Sequence, residues 1–542
     1  MFRLNYSNYL QEYYQMNAEQ INLFPPSQNT PNTKIEEFVE SLELLTQEIQ
    51  ELYCLDHIPW VIGYSGGKDS TATLQLIWNA IAKLPPEKRH KKIHVITTDT
   101  LVENPVVSAW VRNSLKTIEI AAKKQELPFK PHLLQPELTE TFWVGLIGKG
   151  YPAPRGKFRW CTDRLKIQPS NRFIRDVIRK SGEAILVLGI RKAESKSRAI
   201  RMEQYEKQRV RAHLSPNMNL PNSLVYSPIE DWENDEVWLY LMQWQNPWGH
   251  SNKDLFTMYK GASADNECPL VVDTSTPTCG SSRFGCWVCT LVSQDKSLSA
   301  MIQNDQEKEW LLPLLDLRRE LDVDESRHRR DFRRRSGIVQ LYERNLEGEV
   351  SVEPIPGPFT KESREYWLRR LLTVQQQVRK NAPPDMRDIT LIQPEELSEI
   401  RRIWLEERHE FDDSLPRIYQ EVTGEPFEDP RPGNNAMLGV DEWQILEELS
   451  EGDMMYLELM TKLLDTERQY KTMSRRTGIY DTLERCFETS SRSQSEAIAN
   501  AHYQRNLKQA AKEGKVEDIK KIVNGEKPEP PQQLNWASLK FS

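Results

Sequence analysis

Pro59-Trp60-Val61-Ile62-Gly63-Tyr64-Ser65-Gly66-Gly67-Lys68-Asp69-Ser70 is a short apolar run that stops at two glycines, a lysine, an aspartate and a serine. Val61 and Ile62 are strand formers. From Thr71 to Ala82 apolar residues recur at helical spacing, with Leu74, Ile77, Trp78 and Ile81 on one face. The glycines therefore mark a strand-to-helix turn. Glycine there lets backbone N–H groups approach phosphate oxygens, and the helix N-terminus adds roughly half a positive charge. Lys68 adds a full one. A lone Gly-Gly pair would read as a turn capped by Ser and Asp, but a lysine beside an aspartate at such a turn has no packing role.

A Walker loop needs four residues between its first glycine and Gly-Lys, so the adjacent Gly66 and Gly67 exclude that geometry. The hexapeptide Ser65 to Ser70 instead resembles the PP-loop of ATP pyrophosphatases, enzymes that split ATP between its α and β phosphates and adenylate a substrate. The resemblance implies that Ser65, Gly66, Gly67, Lys68, Asp69 and Ser70 bind ATP, with Lys68 and Asp69 taking part in catalysis. Mg²⁺ is expected with ATP on chemical grounds, because the α-phosphate becomes attackable only when the charge on the leaving pyrophosphate is neutralised.

At 542 residues the chain exceeds one ordinary core, and its net charge of −8 confines any nucleic-acid contact to local basic patches. The N-terminus has no apolar core of signal-peptide length, and no apolar run approaches a membrane span. A soluble, cytoplasmic protein is expected. Seven cysteines (54, 161, 268, 279, 286, 289 and 486) form an odd set, which in a reducing compartment points to metal or redox chemistry rather than disulfides.

Thr33-Lys34-Ile35-Glu36 matches a capping box, and Ile35, Phe38, Leu42, Leu45, Ile49 and Leu52 follow at helical spacing. This helix is expected to pack on the nucleotide domain, with a loosely attached arm before it. Residues 92–98, 129–134 and 184–189 read as further strands with helical stretches between them, a βαβ alternation that predicts an α/β fold with a doubly wound parallel sheet. Ligands bind such sheets beyond the carboxyl ends of the strands, where strand order reverses. The turns at Ser65 and at Gly189 both occupy positions of that kind.

Gly189-Ile190-Arg191-Lys192-Ala193-Glu194-Ser195, with Arg198, resembles the Gly-x-Arg-x-x-Glu-Ser loop of the phosphoadenosine-phosphosulfate (PAPS) reductase and ATP-sulfurylase-like family. Pro228-Ile229-Glu230-Asp231-Trp232 through Val237-Trp238 resembles that family's Pro-Ile-x-x-Trp-x-x-x-Asp-Val-Trp signature. Cys161-Thr162-Asp163-Arg164-Leu165-Lys166 resembles its Cys-Thr-x-x-Leu-Lys segment. Arg191 and Arg198 can give bidentate donors to a phosphate, and Arg191 is expected in the catalytic set, with Gly189 beside it in nucleotide binding. Residues 191–211 carry eight Lys/Arg against three Glu, a basic stretch that otherwise reads as a solvated helix. Asp99 follows the second strand and either helps hold Mg²⁺ or adenosine, or caps a helix.

Cys279, Cys286 and Cys289 place three thiols in eleven residues, and a fourth would complete a four-cysteine site. A zinc site would usually show two CxxC knuckles, whereas iron–sulfur ligation tolerates one distant cysteine; zinc and a bare thiol set remain alternatives. The resembled family holds a [4Fe-4S] cluster with a cysteine from the Cys161 segment, which implies Cys161, Cys279, Cys286 and Cys289 as ligands. Cys268 can replace Cys279 or carry a persulfide. Cys54 and Cys486 sit in amphipathic helical patterns and are expected in the core.

From about residue 300 helical patterns dominate, and a Pro-rich tail at 524–533 reads as disordered. The expected organisation is a helical arm over 1–52, a catalytic α/β domain with the cysteine cluster over 53–300, and a separate helical region over 301–542. Residues 327–335 hold six Arg, a run that is either a solvated helix face or a contact for phosphate backbone.

The whole pattern is similar to the PAPS-reductase-like branch that serves bacterial DNA phosphorothioation. That branch implies an ATP pyrophosphatase and sulfurtransferase, a cysteine desulfurase as sulfur donor, further phosphorothioation proteins as partners, and DNA as acceptor. Adenylation would turn a phosphate oxygen into a leaving group for sulfur to replace. The rivals are a PAPS or adenylylsulfate reductase, an ATP-sulfurylase-like adenylyltransferase, a tRNA-thiolating enzyme, and a non-catalytic module that senses nucleotide or redox state.

Overall fold

The computed structural model describes residues 31–156, 158–262, 284–322, 327–346, 349–431, 438–471, 473, 475–490 and 492–512. Residues 1–30 of the N-terminal arm, Cys268, Cys279 and the Pro-rich tail lie outside the described residues.

The predicted first helix is α1, Pro31–Cys54, and it buries Phe38, Leu42, Ile49 and Leu52 as its spacing requires. Cys54, expected in the core, is exposed instead. It ends the helix, one position past the buried Leu52 and Tyr53, where the apolar stripe has rotated away. Strand β1, Trp60–Gly63, leads into α2, Lys68–Ala82, then β2, Ile93–Thr98, α3, Pro105–Lys124, and β3, Phe129–Leu134. Helix α4, Gln168–Ser181, precedes β4, Ala184–Val187. Helix α5, Lys196–Glu206, precedes two short strands, β5, Ser215–Pro216, and β6, Ser223–Tyr226.

These six strands form one sheet in the order β3-β2-β1-β4-β6-β5, parallel throughout except for the β5–β6 pair. Strand order reverses between β1 and β4, so the two turns singled out in the sequence leave the sheet side by side. In β1, Trp60 and Ile62 enter the core on one face while Val61 enters the core on the other, all three fully buried. Each such side chain contributes about 1.5–3 kcal/mol. Strands β5 and β6, four residues at most, are too short to show a period in the sequence.

Helices α6, Asn234–Gln243, and α7, Asn252–Gly261, close the first core behind α2. A second core crosses residue 300. It joins Phe142, Trp143, Ile147, Trp160 and Trp287 to α8, Lys296–Asn304, α9, Leu312–Leu321, and the helices at Lys361–Asn381, Pro394–Arg402 and Ser414–Thr423. The C-terminal half also contains a hairpin, Leu341–Leu346 with Glu349–Pro354, where helical patterns were expected. Its second strand, EVSVEP, alternates apolar and polar residues, a period of two that a helical reading overlooks. Among the described residues no helix is long and apolar enough to cross a membrane.

Candidate nucleotide and thiol site

The turn after β1 is held open by its own side chains. Gly66 has φ +72, and a Cβ there would meet Val111 Cγ2 at 2.6 Å, so only glycine allows the turn to sit against α3. Ser70 Oγ closes the turn from within, accepting from Ser65 N at 3.2 Å and donating to Gly67 O at 3.0 Å. Trp110 Nε1 donates to Gly66 O at 3.2 Å, and Lys68 N donates to the Tyr259 hydroxyl at 3.2 Å. Gly67 is the N-cap of α2 and offers no side chain to the helix end. Among the described residues the N–H groups of Gly66 and Gly67 meet no protein acceptor. A turn with open N–H groups on a helix N-terminus suits a chain of phosphates.

Asp69 sits between two cations. Lys68 Nζ lies 2.8 Å from its Oδ2 and Arg191 Nε 2.7 Å from its Oδ1. Burial pushes the Asp69 carboxyl up, but Lys68 and Arg191 together hold it below its ordinary value. Arg191 is itself buried and donates from Nη1 to Trp232 O at 3.1 Å. The two turns are locked by Gly189, where a Cβ would stand 2.7 Å from both Asp69 O and Thr73 Oγ1. The tryptophans of the Trp232 to Trp238 motif thus have separate tasks. The Trp232 carbonyl orients Arg191, and the Trp238 ring packs edge-on at 5.2 Å against Tyr259, which caps the turn.

Two expected binding residues are engaged elsewhere. Arg198 pairs with Glu194 one helical turn back, and its N–H is capped by Ser195 Oγ. Asp99 accepts from Leu101 N at 2.9 Å and pairs with Arg112 at 2.7 Å, so both carboxylate oxygens are in use.

The thiols gather on the far side of the β2 loop. Glu103 pairs with Cys286 as an isolated antiparallel bridge, and Trp287 N donates to Val102 O at 3.1 Å. Thr100 Oγ1 stands 3.3 Å from Cys286 Sγ. Cys161 begins a wide π-turn, Thr162–Ile167, that carries Lys166 toward the same place. Cys286 most of all, then Glu103, Cys289 and Cys161, hold Lys166 above its ordinary value in their anionic forms, against the opposing effect of burial. Burial pushes the Cys286 and Cys161 thiols up, with Lys166 drawing Cys286 back. Burial likewise raises Glu103 to about 7.

Three thiols beside one ammonium suit an iron–sulfur cluster in donor type and in charge balance. Among the described residues, however, no group of three or more His, Cys, Asp or Glu is close enough to hold a metal ion. Cys279 and Cys268, either of which would be the fourth ligand, lie outside them.

Sequence reasoning missed Arg318. Buried on α9, it donates to Cys289 O at 3.1 Å, to Ser293 O at 3.2 Å and to Val292 O, so that the C-terminal half clamps the CxxC loop. Tyr259 was missed as well, and its ring contact with Phe284 at 4.7 Å links the nucleotide turn to the segment that carries Cys286.

The arginine run is not a solvated helix. Apart from one short turn at Arg327–Arg329 it is irregular and half-buried, because the chain folds back on residues 356–360. Arg330 and Arg334 donate to the carbonyls of Pro356 and Gly357, Arg333 pairs with Asp331 and Glu458, and Arg329 lies over the rings of Tyr366 and Trp367.

The glycine turn thus lies at the switch point of a mostly parallel sheet, beside Lys68, Asp69 and Arg191. Residues 59–291 match the family model of the phosphoadenosine phosphosulfate reductase domain. An uncharacterized protein of Methanocaldococcus jannaschii is 28% identical over 190 residues, 35% of this chain and 32% of the relative, so the match spans about a third of the relative's length. Among solved structures, the PAPS reductase of Candida auris in its phosphate complex is 14% identical, with TM-score 0.25, covering 41% of this chain and 88% of that one. The U34-tRNA thiolase NcsA of Methanococcus maripaludis with its [4Fe-4S] cluster is 14% identical, with TM-score 0.26, covering 54% and 82%.

Proposed function

We propose that this protein is an ATP pyrophosphatase and sulfurtransferase that acts as the DndC component of a DNA phosphorothioation system. The observation that carries the proposal is Asp69 held between Lys68 and Arg191 on a turn with open N–H groups, in a chain that also converges three thiols. The turn and the first turn of α2 hold the β and γ phosphates of ATP, with Lys68 beside them, and leave the α-phosphate exposed. Asp69 orients Lys68 and Arg191 toward the phosphates, and Mg²⁺ carried in with ATP would offset the charge of the departing pyrophosphate. A DNA phosphate oxygen attacks the α-phosphorus, pyrophosphate leaves, and AMP is joined to the acceptor. A sulfur nucleophile then attacks the activated phosphate and AMP departs. A cysteine desulfurase supplies the sulfur, and two electrons from a reductant bring it from the persulfide to the sulfide level. Cys161, Cys286 and Cys289, with Cys279 or Cys268, are the residues that would hold a [4Fe-4S] cluster. Such a cluster supplies sulfur binding and electron transfer.

The test is reconstitution under anaerobic conditions with cysteine desulfurase, cysteine, ATP, a reductant, the partner proteins and DNA, followed by nuclease digestion and mass spectrometry. Phosphorothioate linkages that depend on ATP are expected. AMP and pyrophosphate without sulfur in DNA would move the acceptor to another molecule. The match to the PAPS reductase domain favours one second reading, a reductase of adenylated sulfate, and release of sulfite from PAPS would establish it.

A further inference from the structure

Behind the thiol pocket lies a cavity of about 490 Å³, large enough for one nucleotide unit rather than a duplex. Among the described residues its cationic lining is Arg155, His328, Arg329, Arg330, Arg334 and Arg335, and Glu320 is the one acidic wall residue. Glu320 is bound in turn by Arg370 and Tyr366. Arg155 pairs with Asp322 and the half-exposed Arg335 with Glu407 at 3.4 Å, whereas Arg334 is fixed by a backbone carbonyl and Arg329 by aromatic rings. Carbonyls and rings orient a guanidinium without cancelling its charge. Phe158, 45% exposed, offers an open ring face at the same wall.

The cavity also reaches the thiol side through one residue. Arg335 donates to the Tyr151 hydroxyl at 3.0 Å, and the Tyr151 ring packs at 5.6 Å against Trp160, the neighbour of Cys161 in the chain. Fixed arginines beside an exposed aromatic ring, next to a sulfur-handling pocket, match the needs of a phosphodiester with its base unstacked.

We infer that this cleft binds a DNA strand, with the backbone phosphate on Arg334 and Arg335 and a base against Phe158. The inference rests on the proposed DNA acceptor and adds where that acceptor enters.

The test uses the full-length protein and fluorescently labelled DNA, single-stranded and duplex, with affinity measured by anisotropy as salt is raised. AMP and inorganic phosphate serve as competitors. The double variant Arg334→Ala/Arg335→Ala should lower the slope of log affinity against log salt by about 1.4–1.8, from the loss of two phosphate contacts. Phe158→Ala should weaken single-strand binding about tenfold and leave the slope in place. Thermal unfolding checks each variant, and if the double variant does not fold, the exposed Arg335→Ala alone should lower the slope by about 0.7–0.9. Unchanged slopes and affinities in folded variants would overturn the cleft and leave DNA as acceptor. If wild type binds AMP through these residues and no DNA at any salt, the cleft takes a free nucleotide and the DNA assignment falls. No binding of any of the probes would overturn the cleft outright.

Discussion

Six consecutive residues, Ser65 to Ser70, contain most of the nucleotide turn, whereas the thiol pocket draws on Thr100, Glu103, Cys161, Lys166, Cys286, Cys289 and Arg318. The first is closed by local hydrogen bonds such as Ser70 to Gly67 and needs only a few distant supports, Trp110, Arg191 and Tyr259. The second exists only when the β2 loop, the Cys161 π-turn, the CxxC loop and α9 have all docked. A change in the turn should therefore act on chemistry with the fold intact. A change in the pocket's supports should act on folding and thiol exposure together.

The largest effect expected tests the first half of that contrast. Lys68→Ala removes the charge nearest the phosphates and should slow AMP formation by about 10²–10³-fold while circular dichroism stays that of wild type. A loss below tenfold would mean that the turn is not the reaction centre.

Arg318→Ala addresses the other half, because it removes the buried guanidinium that ties together the carbonyls of Cys289, Val292 and Ser293. It should cost about 3 kcal/mol in urea unfolding and speed alkylation of Cys286 and Cys289. Unaltered alkylation rates would show that the CxxC loop holds itself.

Gly189→Ala probes the seam between the turn and its distant support. The new Cβ must push β4's exit off α2, since Asp69 O and Thr73 Oγ1 leave it only 2.7 Å. A loss of about 1–3 kcal/mol is expected, read from the unfolding midpoint. An alanine variant as stable as wild type would show that the seam gives way readily.

The smallest effect concerns the sheet rather than either site. Burial, then His132, whose Nε2 stands 2.9 Å from His94 Nδ1, lowers His94 from 6.5 to about 4. The unfolded chain takes up that proton first, so the native state keeps its full stability above the unfolded value and loses it as pH falls from 6.5 toward 4. The loss should be on the order of 2 kcal/mol, and His94→Gln should flatten the dependence of the melting midpoint over that window.

The same contrast explains what the sequence could tell. The strand, glycine turn and helix were readable because period and punctuation lie within twenty-four residues. The sheet's switch point followed from the order of apolar runs, since parallel strands must be joined by crossovers. Tyr259 gave no signal, because an aromatic on a helical stripe reads as core, and only the fold brings its hydroxyl to Lys68 N. Arg318 looked like an ordinary cation at the end of a leucine-rich helix until its carbonyl partners arrived from twenty-five residues upstream. The arginine run misled because charge density says nothing of backbone path, and the chain there turns back on residues 356–360. Cys54 misled by a single helical position.

The proposed reaction cuts ATP between its α and β phosphates at the Ser65 to Ser70 turn. Purified full-length protein given Mg²⁺ and ATP labelled at the α and the γ phosphate, with products separated by ion-exchange chromatography, tests it most directly. With no acceptor present, water attacks the α-phosphorus, so the α label should appear in AMP and the γ label in pyrophosphate, with both lost in Lys68→Ala. The α label in ADP with the γ label in inorganic phosphate would contradict it.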